Sequence, residues 1–567
     1  MDFKNLFNSI FGYSQTNKYS FSLPENNQMA EENNSKRSKQ DEIVKIFPSL
    51  NVNIEYLKTR YNVLINSDII LREFTINARG KQYNAFLIYI DGMVDSKIMN
   101  EFVLEPLMLR NKNNLFDGTQ SKVVSEAVTN NITVRKVKKF DLANYLMGCL
   151  MPQNSVKQVS EFSKIISSIN SGNCALFVDT LSLAFDLELK GFKQRSVDTP
   201  NNEIVIKGPH EAFVENIRTN TSLIRRIVNN ENLIIENLEI GKMTRTKCAI
   251  CYIKNITNSD LVNEVKYRLN NLEIDSLLSA GELEQFISDS NALGIPQLLS
   301  TERPDKASKY LLKGRVVVIV NGTPYAIIMP AILVDYLTSP EDTNLRVNFA
   351  NFLRGLRFLA AFITLLLPGL YVAITGFHQE ILPSALLYSI LASRETVPFP
   401  IILEVLIMEI SFELIREAGL RVPSPIGPTI GIVGALVLGQ AAVSAGIVSP
   451  ILIIIVAITG ISSFAIPDFS FGFHLRYFRF AFILLGFMAG FLGIALGLFV
   501  YISFICSLRS FGVSYTTPFA PATNSKGNGY LLSPIWKREY RPSFVASKRE
   551  KEQEKISMKW KYPNSQQ

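Results

Sequence analysis

Few residues in this 567-residue chain combine a chemically useful type with a constrained position, and most of those few sit in apolar surroundings. In the stretch VPFPIILEVLIMEISFELIREAGLRVPSP, a projection at about 100° per residue places Glu409, Glu413, Arg416 and Glu417 on one face, with Arg416 in reach of Glu413 one turn back. Such an amphipathic helix can lie at a membrane interface. Glu404 projects onto the opposite, apolar face beside Met408, Ser411 and Ile415. An isolated acid there is costly in lipid, which marks Glu404 as an intramembrane candidate facing water, a cation or a positive partner. An acid paired to arginine as a packing device fits the same position.

The stretch GIVGALVLGQAAVSAGIVS, bounded by Pro428 and Pro450, gives the second candidate. Gly431, Gly434, Ala442 and Gly446 fall in one small-residue stripe that lets a neighbouring helix approach closely. The opposite face carries Val433, Val437, Gln440, Ser444 and Ile447. Medium apolar residues interrupted by one amide and one hydroxyl suit the wall of a narrow pore, where apolar rings gate by dewetting and polar rings support partly hydrated ions. A bundle helix whose Gln440 hydrogen-bonds a neighbour fits the pattern equally. Further on, Gly486, Gly490, Gly493 and Gly497 project onto one face of a single apolar run, a seam expected to pack a helix closely rather than to do chemistry.

Catalytic patterns are missing. Cys248 and Cys251 form a C-x-x-C inside the alternating run TKCAICYIKN, where positions three apart point to opposite faces, and no second pair follows. His210, His378 and His474 lack ligand spacing, and the chain holds neither a G-x-x-x-x-G-K nor a G-x-S-x-G motif. No enzyme, metal or cofactor is expected.

The elements that would position these residues follow from composition. Hydrophobic residues make up 47% and charged residues 19%, and mean hydropathy is +0.16, too apolar for a disordered chain and unusual for a wholly soluble one. Five cysteines without framework spacing favour a reducing compartment. Residues 1–40, polar and without a secretory signal, read as a disordered arm. Residues 41–200 and 201–345 read as two α/β subdomains. At an offset of 163, Tyr89, Ile90, Ser96, Asn100 and Glu101 match identical residues at Tyr252, Ile253, Ser259, Asn263 and Glu264. The repeat unit reads as helix, strand, strand, helix, closing in a hairpin-like stretch. Residues 346–510 read as an all-α multi-span membrane domain: Phe358–Phe377 holds twenty uncharged residues, enough to cross about 30 Å of hydrocarbon. Ile381–Ser393 is too short to cross, and Ile430–Ser449, Ile451–Ile466 and Phe480–Cys506 are further apolar runs. Residues 511–567 form a basic tail. Of the formal net charge of +8, residues 507–567 supply eleven Lys/Arg against four Asp/Glu, which places the tail in the cytosol near anionic headgroups and makes an even number of crossings, four or six. No nucleic-acid signature accompanies these charges.

The segments LPGLYVAITGFHQEILPSALL, SRETVPFPIILEVLIMEISFELIREAGLRVPSPIGPTIGIVGALVLGQAAVSAGIVSP and LRSFGVSYTTPFAP closely resemble the A subunit of the GerA-type spore germination receptors. The resemblance implies a multi-pass protein of the spore inner membrane, with a cytosolic region of two subdomains. Its implied partners are a transporter-like B subunit that senses the nutrient and a C lipoprotein. It further implies assembly as a pentamer into a nutrient-gated channel for monovalent cations, in which the small stripe meets adjacent subunits while Val437, Gln440 and Ser444 face the axis. The alternative is a membrane-anchored scaffold or accessory subunit that docks partners without conducting. His210, in GPHEAFVE, stands where the family usually has arginine.

Overall fold

The 163-residue offset corresponds to two five-stranded antiparallel sheets of the same strand order. The computed structural model describes residues 21–23, 44–78, 81–108, 141–153, 155–191, 200, 202–290, 292–421, 439–523 and 529–553. The first sheet runs β1 (Ile69–Ala78), β2 (Lys81–Ile90), β4 (Cys174–Val178), β5 (Ala184–Leu187), β3 (Val156–Val159). The second runs β6 (Leu233–Ile240), β7 (Thr246–Ile253), β9 (Val316–Val320), β10 (Ala326–Met329), β8 (Leu299–Thr301). Edge strands β3 and β8 are additions to the sequence reading. VKQV is half-exposed and LST has three residues, so neither carries a readable period.

Both faces of the central strands are covered, which explains why NAFLIYI and KCAICYI are nearly continuous apolar runs. Phe86, Ile88 and Ile90 meet α1 (Leu50–Tyr61) and α2 (Phe162–Asn170), while Ala85, Leu87 and Tyr89 join a separate core on the other side. In the second sheet Cys248 and Cys251 fall on opposite faces, in different cores, and burial pushes both thiols up to about 12. They cannot share a metal.

The two sheets are joined at a buried clamp. Arg225, on α3 (Ile217–Ile227), donates through Nε and Nη2 to the Asp68 carboxylate at 2.7 and 2.9 Å and through Nη2 to Asn66 Oδ1 at 3.1 Å. Asn66 Oδ1 also accepts from the Ile235 amide, and the Ser67 amide donates to Ile235 O, so the loop before β1 covers the open edge of β6.

The second subdomain also contains α4 (Ser259–Asn270), α5 (Ala280–Ile287) and α6 (Pro304–Leu312). The tail folds back onto this subdomain. Ser510 Oγ donates to Gln297 O, Asp289 accepts from the Phe511 amide, and Arg268 lies 4.1 Å above the Phe511 ring. Arg541 donates to Leu312 O, and Asn351 exchanges two hydrogen bonds with the Leu532 backbone. The described tail is therefore docked rather than free for headgroups. Of the arm, Leu23 packs against the same core.

The helical block contains α7 (Val347–Phe377), α8 (Ser384–Arg394), α9 (Ile401–Arg421), α10 (Pro450–Phe464) and α11 (Phe469–Ser507). Among the described residues, α7 and α11 are long and apolar enough to cross a membrane, and α10 is apolar but shorter. The uninterrupted run expected over Phe480–Cys506 is corrected. Ala489 (φ −142°) and Gly490 (φ +58°) are non-helical, and the chain reverses there. His474 Nε2 lies 3.0 Å from Tyr501 OH, so 469–488 and 491–507 pack as two antiparallel arms. The base of this hairpin stacks on the second subdomain through Phe471 and Tyr336, 5.7 Å apart, and its tip at Gly490 meets His378 at the far end of α7.

Candidate functional site in the helical block

Three of the four acids of α9, Glu404, Glu409 and Glu413, face two different neighbours, because the five residues from Glu404 to Glu409 turn through roughly 140°. Glu404 turns toward α8: Arg394 donates to its Oε1 through Nη2 at 3.0 Å and Nε at 3.2 Å, and the Ser449 amide donates to its Oε2 at 3.2 Å. The acid is 1% exposed, and its positive partner is an arginine of its own chain.

Glu409 and Glu413, one turn apart, face the first arm of α11. Arg479 Nη2 lies 2.9 Å from Glu409 Oε2 and 2.9 Å from Glu413 Oε1. Arg476 Nη1 reaches Glu413 Oε2 at 3.0 Å. Arg416 lies 3.5 Å from Glu413 Oε1, donates to Ser463 Oγ on α10 and sits over the Phe412 and Phe464 rings. The acidic stripe expected to face water at an interface is instead turned inward onto Arg476 and Arg479, with only Glu417 exposed among its members. The reason is charge matching. In the sequence Arg476 and Arg479 directly precede the apolar run Phe480–Cys506, and their i,i+3 spacing complements Glu409 and Glu413 at i,i+4. That complementarity was the signal available beforehand.

Four arginines and three carboxylates thus tie α8, α9, α10 and α11 together in an apolar setting. The arrangement has no nucleophile paired with a base; it can hold helices in register, and it can rearrange only by exchanging one ion pair for another. Among the described residues no group of His, Cys, Asp and Glu could hold a metal ion.

Of the pore candidates, Val433, Val437, Gly431 and Gly434 lie outside the described residues. Gln440 and Ser444 are exposed one turn apart on a helix that ends at Ser444, and Ile447, also exposed, lies beyond it in the turn made by Gly446 at φ +65°. The opposite side is occupied within the chain. Ala442 packs with the core around Tyr371, Val405 and Leu452, and a Cβ on Gly446 would lie 3.2 Å from Thr396 O. This part of the small stripe therefore meets its own chain rather than remaining open for a sister copy.

The four glycines of the expected seam do not share one face, because the helix breaks among them. Gly490 is the hinge. Gly486 abuts α7, where an added Cβ would lie 2.6 Å from Gly369 O, and Gly493 and Gly497 abut Leu485 of the other arm, at 2.2 and 2.5 Å. Each sits at a close helix contact. His210 is exposed, beside Pro209, whose carbonyl accepts from Arg303.

Residues 55–544 match the family model described as Bacillus/Clostridium GerA spore germination protein. The chain belongs to the GerA family. This GerA-family chain is 40% identical to spore germination protein KA of Bacillus subtilis over 504 residues, covering 89% of this chain and 88% of that one. It is 36% identical to spore germination protein B1 of the same organism, covering 80% and 88%. Against spore germination protein GerLA of Bacillus cereus, identity is 36%, covering 80% and 87%. Among solved structures, the N-terminal domain of the A subunit of the Bacillus megaterium spore germinant receptor GerK3 is 29% identical, with a TM-score of 0.36, covering 52% of this chain and 98% of that one.

Proposed function

We propose that this GerA-family chain is the A subunit of a nutrient-responsive spore germination receptor, and that copies of it assemble in the spore inner membrane around a gated path for monovalent cations. The role is non-catalytic. Assembly as a pentamer, with a B-type nutrient-sensing subunit and a C-type lipoprotein, belongs to the same reading.

The observation that carries the channel reading is the exposure of Gln440 and Ser444, one helical turn apart in an otherwise apolar block, backed by a side already packed inside the chain. An amide and a hydroxyl on the outside of a membrane helix call for water or a polar partner. The order of contacts supports six traverses. The segment α7 leads away from the soluble subdomains. The segment α9 returns, since Val405 packs with Tyr371 toward the far end while Glu413 meets Arg476 nearer the base. Glu404 meets Ser449 at the start of α10, and Arg416 meets Ser463 near its end, so α10 runs parallel to α9. Arg421, near the base, and Ser449, at the far end, lie at opposite ends of the block, as six traverses require, and the two arms of α11 are the last two. An even count leaves the subdomains and the docked tail on one side, the cytosolic one.

Rubidium flux into liposomes carrying the reconstituted receptor tests this reading. Ser444→Ala and Gln440→Leu should change the basal or nutrient-triggered flux. Unchanged flux in both argues against this helix as the path, and no conductance under any gating condition favours the scaffold.

A further inference from the structure

Lys309, on α6, borders a cavity of about 280 Å³ whose other polar lining includes Asp305, Lys306, Ser339, Thr343 and Asn344. The cations around it are matched: Arg303 with Asp305, Lys306 with Glu203, Arg315 with Asp335, and both Arg354 and Arg357 with Asp342. Lys309 differs. Among the described residues it has neither an ion pair nor a side-chain hydrogen bond, and the charges that act on it most are Lys313, Arg354 and Arg538, opposed by the already shared Asp342. Burial, then those cations, hold its ammonium well below the usual lysine range, and Lys313 is lowered to about 8 for the same kind of reason. A half-buried ammonium facing like charges is stabilised by an anion.

The cavity also offers neutral donors. Ser339 Oγ accepts from the Glu341 amide and keeps its own proton to donate. Asn344 uses one N–H on Lys207 O and has a second free. Asp305, the acid in the lining, is neutralised bidentately by Arg303 at 3.1 and 2.9 Å. The three N–H donors of the Lys309 ammonium, with a hydroxyl and an amide, suit a tetrahedral oxyanion better than a carboxylate, which needs fewer donors. The volume leaves room for an organic group beyond the anion.

We propose that this cavity binds a phosphate-bearing group, with Lys309 as its charged contact and Ser339 and Asn344 as hydrogen-bond donors. Two sources carry that chemistry. The turn Pro340–Thr343 leads at Val347 into an apolar helix with Phe349 and Phe352 exposed, which puts the cavity where a phospholipid headgroup can reach it. A soluble phosphate ester reaches it from the other side.

Acylation footprinting of the full chain distinguishes them without any substitution. A free amine reacts and an ammonium does not, so an anion that raises the Lys309 pKa by about one unit slows its acylation by up to about tenfold at a pH below that pKa, which a pH series locates. Modification of Lys309 is followed by mass spectrometry, with Lys266, ion-paired to Glu236, as internal reference. In detergent micelles, slowing by inorganic phosphate relative to chloride at equal ionic strength supports a soluble phosphate ligand. Slowing only in nanodiscs containing phosphatidylglycerol, relative to phosphatidylcholine alone, supports the headgroup. Ser339→Ala should weaken whichever protection is seen. Equal Lys309 reactivity in all four conditions overturns the proposal.

Discussion

The Arg479 guanidinium lies 2.9 Å from the Glu409 carboxylate, and neither side chain is exposed to solvent. The pair fixes α9 against the first arm of α11 at one axial position, because moving either helix by a turn would leave two bare charges in an apolar block. Coulomb attraction in such a medium is strong, but desolvation cancels much of it, so the pair specifies register more than it adds stability.

Removing one member should therefore cost more than removing both. Arg479→Met, which strands the buried Glu409, is expected to destabilise the block by about 3–5 kcal/mol, Glu409→Gln by less because Arg479 keeps Glu413, and the double variant should recover much of the first loss. Glu413 keeps Arg476 and Arg416 when Arg479 is removed, so no second charge is stranded. Unfolding of the detergent-solubilised chain, measured as a double-mutant cycle, checks this. Strict additivity would show that the two side chains are not coupled.

The crossing of α7 and α11 rests on a backbone contact between Gly369 and Gly486. A Cβ on Gly369 would lie 2.7 Å from Phe482 O, and one on Gly486 2.6 Å from Gly369 O. Alanine at either position must push the helices apart, at a cost of about 1–3 kcal/mol. Gly376→Ala, on the same helix but with nothing within 4 Å, is the control and should be neutral or slightly stabilising. Melting temperatures of the three variants in one detergent separate packing from helix propensity.

What could be read from the sequence divides along a physical line. The inner strands β2, β4, β7 and β9 show as the apolar runs NAFLIYI, CALFVD, KCAICYI and RVVVIV, and the repeat shows as identical residues 163 positions apart. Edge strands β3 and β8 carry too few residues to show a period. The reversal at Ala489–Gly490 was hidden because both arms of α11 are equally apolar, so the run reads as one helix and only Gly490's positive φ marks the turn. The partners of Glu404 and Glu409 could not be read by projection for another reason: Arg394 and Arg479 lie 10 and 70 positions away, one helix says nothing about which neighbour it meets, and only the matched spacing of Arg476 and Arg479 pointed to the second pairing.

The junction of the two soluble subdomains is expected to depend on Arg225. Arg225→Met strands the buried Asp68 carboxylate and leaves Asn66 Oδ1 with the Ile235 amide alone, so the loop before β1 should loosen from the edge of β6. The loss is about 3–5 kcal/mol at this clamp. Hydrogen exchange reads it directly. The amides of Ser67 and Ile235 should exchange faster in the variant while those in the centre of β9 keep their protection.

Glu284 is expected to make the second subdomain more stable in acid. Burial raises its carboxyl from the usual 4.5 to about 7, Asp468 pushes the same way, and the hydroxyl of Ser300, donating to Oε2 at 3.0 Å, opposes both. Between pH 4.5 and 7 the folded chain holds a proton that the unfolded chain has released, so the fold gains from acid and loses that gain as pH climbs to about 7, beyond which the effect is flat. Glu284→Gln keeps an acceptor for Ser300 and removes the titration. It should match the parent at pH 5 and exceed it at pH 8, by melting temperature of the full chain in micelles. An undiminished fall between those two pH values in the variant would assign the acid stabilisation to another group.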